Sequence, residues 1–285
     1  MIQLQTQHQA SHPGKEPTVV KHDCHLSFLF SDDGLDTLFN SVADESIKAK
    51  TAYQQYSEIF NTERISRQAL MELVKAKDKD CWIALHEIES NALLKPLFMS
   101  MAATLISSLP RMYGDVRFCT GSLFISRGKA STPYHLDYGS NLLLQLRGNK
   151  RFLAFSPNDP ELVSKQSLRE FFGGHPNPPS LKYDDSFDQK ALALDLEPGQ
   201  GIYMPSTTPH CTETRTRDLS VTVSLSFVSP LAERLRRSSL FDARFPSLHF
   251  IPSHLKCGVL AVYEGIKAAR GDIPPRHKSF RPLLL

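Results

Sequence analysis

The chain has 285 residues, of which 41% are hydrophobic and 22% charged, and its formal net charge is +3. That length can bury a sizeable core, in one large domain or one domain with helical additions, and the composition is ordinary for a soluble globular protein. The small charge gives no reason to expect nucleic acid or a membrane surface as partner. The five cysteines (Cys24, Cys81, Cys119, Cys211, Cys257) are scattered without a CxxC pair, which argues against a disulfide framework and a structural zinc site.

Taken in chain order, residues 1–16 are polar and read as a loose leader. They carry no basic-then-apolar signal, and no apolar run in the chain approaches the roughly 18 residues that cross a bilayer, so a cytoplasmic location is expected. "PTVV" and "HLSFLF" read as short strands, and from Asp33 to about Pro110 the pattern turns helical. There "SRQALMELVKA" has apolar residues at helical spacing with Ser66 as its N-cap, and "NALLKPLFMSMAATLISSL" is a longer apolar helix. Residues 17–110 are thus expected to pack as strands and helices on a core that follows.

Residues 111–228 have a different texture. "RFCTGSLFIS", "NLLLQLRG", "KRFLAFSP", "LALDLE", "GIYMP" and "LSVTVSLSF" are short strand-like runs separated by Gly-Asn, Pro-Asn-Asp and Pro-Gly-Gln-Gly turn signals. Such a succession predicts a mainly β fold: an antiparallel jelly roll, or double-stranded β-helix, with helices added at both ends. An insertion at 158–190 combines the helical "DPELVSKQSLREFF" with the loop "GGHPNPPS" and reads as a lid or substrate loop. Residues 229–285 return to helices. The basic runs there (Arg234, Arg236, Arg237; Arg276, His277, Lys278, Arg281) read as a solvated helix face and a polar tail.

The chemistry concentrates in two segments. "TPYHLDYGSN" sets His135 and Asp137 two apart, a spacing that puts both side chains on one face of a strand. A carboxylate aimed into a sheet interior needs a cation, and a divalent metal meets that need. As an alternative, Asp137 is a turn former beside Gly139. "PGQGIYMPSTTPHCTET" brings in His210 after a strand and a Pro-rich turn. Two histidines and a carboxylate on a β scaffold form the facial triad of non-haem iron oxygenases, which leaves coordination positions open. His175, His249, His254 and His277 lack such company and read as surface or structural.

From about Trp82 to Phe227 the chain resembles the JmjC-type cupin oxygenases, and within them the small hydroxylases related to the asparaginyl hydroxylase of hypoxia-inducible factor. In that pattern a Thr precedes the first ligand His by three positions, an Asn follows it by six and a Lys by fifteen. Thr132, Asn141 and Lys150 stand at those places. The resemblance implies Fe(II) at His135, Asp137 and His210, with O2 and 2-oxoglutarate as cosubstrates and succinate and CO2 as co-products. It also implies that Lys150 and Thr132 hold the cosubstrate C5 carboxylate and that Asn141 sits near its C1 carboxylate. Ser224 occupies the place of a second polar residue that is often Asn. Another oxygenase branch anchors 2-oxoglutarate with an Arg about ten residues past the distal His, and Arg215 and Arg217 lie nearer than that.

The expected substrate is a protein or peptide side chain, an amino acid or a small metabolite, hydroxylated at a C–H bond. The rival reading is a metal-binding cupin that regulates or binds without oxygenase activity. Leu255, Val259, Val262 and Ile266 recur at helical spacing in "LKCGVLAVYEGIKAA", a stripe that must be buried either on the jelly roll or in a homodimer, as several of the relatives dimerise through C-terminal helices.

Overall fold

A computed structural model describes residues 2–3, 15–50, 55–58, 62–108, 118–248 and 250–269. Residues 4–14 of the expected leader, His249 and the basic tail from Arg276 to Arg281 lie outside the described residues.

The chain is mainly antiparallel β and folds as a jelly roll of two sheets. The larger is built from β1 (Ile2–Gln3), β2 (Thr18–His22), β3 (Ile47–Lys50), β4 (Glu63–Arg64), β5 (Cys81–His86), β6 (Phe118–Arg127), β8 (Ser140–Arg147), β11 (Gln200–Met204) and β13 (Ser220–Val228). Its order is β1-β2-β11-β8-β13-β6-β5-β3-β4, and the smaller sheet runs β10-β9-β12-β7, from β7 (Ala130–His135), β9 (Lys150–Ala154), β10 (Leu192–Leu196) and β12 (His210–Thr214). Helices α1 (Asp32–Ser41), α2 (Arg67–Lys75) and α3 (Lys95–Ser108) precede the core, α4 (Lys165–Phe172) lies in the insertion, and α5 (Pro230–Arg244) and α6 (Ser253–Ala269) follow it.

Period-two alternation decides which side of the large sheet faces which layer. On β13, Val221, Val223, Leu225 and Phe227 join a buried apolar cluster with Leu35, Leu38 and Phe39 of α1 and Phe98, Met101 and Leu105 of α3. Burying each such side chain stabilises by about 1.5–3 kcal/mol. The intervening Ser220, Thr222, Ser224 and Ser226 therefore turn inward, toward the small sheet. β5 and β6 follow the same rule: Ile83, Leu85, Leu123 and Ile125 go to the helices, while Trp82, His86, Ser122 and Phe124 go to the interior. At the closed end of that interior the polar groups satisfy one another. The fully buried Gln145 amide donates to the carbonyls of Arg147 and Gly148 and to Ser220 Oγ, and accepts from Thr222. Ser126 and Thr214 bridge the two sheets at 2.7 Å.

Several expectations change. "HLSFLF" forms two 3-10 turns rather than a strand, because its backbone packs against α1: a Cβ on Gly34 would lie 2.0 Å from the Phe28 carbonyl oxygen. The expected helical stretch after Asp33 also holds β3, β4 and β5. β5 reads "CWIALH", and burial on both faces leaves no alternation to separate it from a helix. Within the expected leader, Ile2–Gln3 pairs with β2. Ser66 caps α2 as expected, accepting from Ala69 N, and all five cysteines are free. Among the described residues no helix is long and apolar enough to cross a membrane.

α6 lies on α5 through Leu260 and through Lys256, which pairs with Asp242 at 2.5 Å. Its stripe is not covered by the jelly roll: Leu255, Val259, Val262 and Ile266 are 52%, 48%, 64% and 49% exposed.

The hairpin from β8 to β9 turns at Gly148, which has φ +61° and would place a Cβ 2.5 Å from the Leu219 carbonyl oxygen. Gly148→Ala should lower stability by about 1–3 kcal/mol through left-handed strain and this clash, read as a lower midpoint in urea denaturation. An unchanged midpoint would mean the turn relaxes freely.

Candidate metal centre

The site forms where β7 and β12 meet. Antiparallel pairing sets His135, the last residue of β7, directly opposite His210, the first of β12, and cross-strand neighbours of this kind bring their Cβ atoms to about 5 Å. The two imidazole rings are 4.1 Å apart between centroids. Asp137 lies past the end of β7, so the expectation that it shares a strand face with His135 is corrected: the turn after the strand delivers it. His135 Nε2 is 3.8 Å from Asp137 Oδ1 and His210 Nε2 is 3.6 Å from Oδ2.

Hydrogen bonds hold this turn. Thr207 N donates to the Asp137 carbonyl at 3.0 Å, Ser206 N to Ser140 Oγ at 3.1 Å and Ser206 Oγ to the Tyr138 carbonyl at 2.8 Å. They stitch the Pro-rich loop before His210 to the loop that carries Asp137. Thr207 sits at φ +63°, a costly conformation for a β-branched residue, and such strain persists where surrounding contacts enforce it.

The donor set fits a divalent metal. Nδ1 of His135 lies 2.7 Å from the Pro133 carbonyl and Nδ1 of His210 lies 3.0 Å from that of Thr208. A carbonyl only accepts, so each Nδ1 carries the proton and each Nε2 turns its lone pair to the shared space. Burial first, and the neighbouring His135 second, hold the His210 imidazole well below the ordinary histidine range, so it is neutral and ready to ligate. Phe152 stacks on its ring at 5.6 Å with 7° between planes. Asn141 Nδ2 donates to Asp137 Oδ2 at 2.5 Å and the Asn141 carbonyl accepts from Ser226 Oγ. Ligand atoms of the three residues all lie within 4.8 Å of one another. An ion bound at about 2.0–2.2 Å needs donors roughly 3 Å apart, so the two imidazole–carboxylate separations of 3.8 and 3.6 Å have less than 1 Å to close.

These residues open on a cavity of about 550 Å³ that also receives Thr132, Lys150 and Ser224. Lys150 and Phe152 alternate onto the inner face of β9. Lys150 is buried, forms no ion pair among the described residues, and is brought down to about 7 by desolvation. Thr132 Oγ1 accepts from Trp82 Nε1 at 3.0 Å and from the Thr212 hydroxyl at 2.9 Å, which leaves its own proton to donate. Arg215 and Arg217 do not enter the cavity: they pair with Glu213 and Asp80 on the surface. Asn141 lines the cavity, but the contacts it makes are those that orient Asp137.

Other residues escape sequence reasoning because they come together only across sheets. Trp82 and His86 stand two positions either side of Ala84 on β5, an alternation that becomes a signal only once β5 is known to be a strand. Tyr138, beside Asp137, donates to Glu233 of α5 at 2.7 Å and meets Phe172 of α4 edge-on. Burial would raise the Glu233 carboxyl, but hydrogen bonds from Arg236, Tyr138 and Arg237 hold it at about 2. The insertion reaches the cavity through Phe171, Pro176 and Asn177, while His175 and His254 are exposed and do not line it.

Residues 20–230 match the family model described as a cupin-like domain. Over 120 residues the chain is 31% identical to the HSPB1-associated protein 1 homolog of Danio rerio, a match covering 36% of this chain and 27% of that protein, so the alignment spans about a quarter of the relative's length. The X-ray structure of E. coli ycfD aligns over 92% of this chain and 68% of its own, with a TM-score of 0.48 and 17% identity. With the family match running from within β2 to the end of β13 and through both candidate metal-ligand segments, the chain belongs to the cupin-like domain family.

Proposed function

We propose that this protein is an Fe(II)- and 2-oxoglutarate-dependent oxygenase that hydroxylates a C–H bond of a protein or peptide side chain, an amino acid or a small metabolite. The observation that carries the reading is Lys150: a buried ammonium with no carboxylate partner among the described residues, in the same cavity as the His135–Asp137–His210 cluster. An unpaired buried cation is costly, and a dicarboxylate ligand that reached the metal at one end would supply its counter-ion at the other. The rival reading, a metal-binding cupin without catalysis, gives no reason to keep such a lysine.

His135, Asp137 and His210 would hold the iron on one side and leave the remaining positions open. When bound, iron with 2-oxoglutarate and O2 supplies the oxidising power, with succinate and CO2 as co-products. The chain's own part is positional. Lys150 and Thr132 bind the C5 carboxylate, Asn141 fixes Asp137, and the apolar walls formed by Phe124, Leu143 and Met204 exclude water.

Asp137→Ala should abolish succinate formation and anaerobic Fe(II) binding while the circular dichroism stays that of the parent. Asn141→Ala should weaken metal affinity by about 10–100-fold, as loss of an outer partner does. Full metal affinity in the Asp137 variant would reject the triad.

Lys150→Met should raise the dissociation constant for 2-oxoglutarate by roughly one to two decades, since a charge-assisted bond is worth about 1.5–3 kcal/mol, with metal affinity kept. The sign with pH follows from the free ammonium titrating at about 7. Below that pH the cation is ready for the carboxylate. Above it the amine must first take up a proton, so affinity should fall by about tenfold per pH unit. A flat pH profile between 6 and 9 would place the anchor elsewhere.

A second copy of the chain is the occupant proposed for the α6 stripe. Its apolar residues recur along one exposed face with no cover from the described residues, and a two-fold contact would be self-complementary. A stable dimer would bury at least about 1,200 Å² in total. Light scattering at micromolar concentration should then give twice the 32.0 kDa chain mass, and Val259→Glu with Val262→Glu should return it to the monomer. A monomeric parent would reject the dimer.

A further inference from the structure

The cavity has an arm that neither the metal cluster nor Lys150 uses. On the inner face of the large sheet, register places Ser224 of β13 beside Ser122 of β6, and Ser122 beside His86 of β5. Lys48 of β3 is paired with Ala84, two residues before His86. All four line the cavity. With strands about 4.8 Å apart, the step from β13 to β3 crosses roughly 14 Å of sheet. The arm therefore leads from beside the metal cluster toward the β3 edge, while Lys150 sits on the opposing sheet.

Two features give this arm a chemical preference. His86 Nδ1 lies 3.0 Å from Ser122 Oγ. Burial first, and the charge of Lys48 second, bring the imidazole down to about 4, so it is neutral; with the Ser122 hydroxyl donating to Nδ1, its Nε2–H remains to donate. Lys48 is half-buried and has no carboxylate partner among the described residues. Glu89, close in the fold, is already engaged by Thr120 Oγ1 and Gly121 N.

The charge balance is the stronger argument. Among the described lining residues Asp137 is the one carboxylate, against Lys48 and Lys150. With a divalent ion and a dicarboxylate in place, the ion, Lys150, Asp137 and the dicarboxylate cancel, and the charge of Lys48 is left over.

We infer that Lys48 and His86, the latter oriented by Ser122, form an oxyanion subsite for the substrate, so that the substrate carries a phosphate or carboxylate group at a distance from the C–H bond that reacts. This assignment rests on the oxygenase reading above. It disfavours substrates whose bound moiety is cationic, such as a lysine or arginine side chain, because they would meet Lys48 with like charge in a partly desolvated arm.

The single tryptophan of the chain, Trp82, also lines the cavity and supplies the signal. Protein saturated with Mn(II) and 2-oxoglutarate, so that Lys150 is occupied, is titrated at constant ionic strength with inorganic phosphate, acetate or methylammonium while Trp82 fluorescence is followed. Saturable binding of phosphate or acetate is expected, the tighter of the two naming the oxyanion, with no response to methylammonium. Lys48→Met should weaken that binding at least tenfold and His86→Phe should weaken it too, with Lys48→Arg restoring it. 2-Oxoglutarate affinity, measured separately by calorimetry, should stay within twofold throughout. Equal anion binding in the parent and Lys48→Met, or a preference for methylammonium, would overturn the subsite and leave the oxygenase reading standing. Failure of the Mn(II) protein to bind 2-oxoglutarate would sink that reading and the subsite with it.

Discussion

The large sheet is buried on both faces, and everything at the site follows from that constraint. Its outer face is held by α1 and α3 through apolar side chains at every second position, so the alternate positions have no solvent to turn to. They face the small sheet instead, and beside apolar residues such as Trp82, Phe124, Leu143 and Met204 they include serine, threonine, asparagine, glutamine and histidine. A polar group taken from water without a partner costs a few kcal/mol. At the closed end the cost is met internally: Gln145, Thr222, Ser220, Ser126 and Thr214 bond to one another or to backbone. Toward the metal cluster, Lys150 and Lys48 have no such partner among the described residues, and there the two sheets part into a cavity. A barrel interior becomes a binding site where its polar network stops closing on itself.

The metal cluster shows how little of a site lies in its ligands. Two imidazoles meet because β7 and β12 pair His135 with His210, next to an irregularity between His210 and Thr212 that shifts the register by one residue. Backbone carbonyls two residues upstream set both tautomers. The carboxylate comes from a turn sewn to the neighbouring loop, and Asn141 fixes its rotation. Beyond these, Tyr138 ties the same turn to Glu233 and its arginines on α5. The C-terminal helices are thus mechanically joined to the metal turn, and α4 of the insertion touches the same tyrosine through Phe172.

Electrostatics separates the two lysines of the cavity. Lys150 sits in low dielectric with desolvation as its one resolved influence, and that makes it responsive both to an anionic ligand and to pH near neutrality. Lys48 is half-open, so solvent screens it and its effect is felt mainly by His86.

The jelly-roll class, the insertion helix and the C-terminal helices were legible in the amino-acid order, because turn residues and hydrophobic periods are local properties. The two segments that bring His135, Asp137 and His210 into one cluster were legible too, as were Thr132 and Lys150 of the same cavity, since they are distinctive residue types in short segments. The i, i+2 argument put Asp137 with His135 by the wrong geometry, because strand ends depend on pairing partners that no local window contains. β5 was hidden because burial on both faces erases alternation, and "HLSFLF" misled because packing against Gly34 overrode its β-like composition. Lys48, His86 and Ser122 are far apart in the chain and carry no motif. Only the register of β3, β5 and β6 places them on one wall, because hydrogen-bond pairing between distant strands is a decision of the whole sheet.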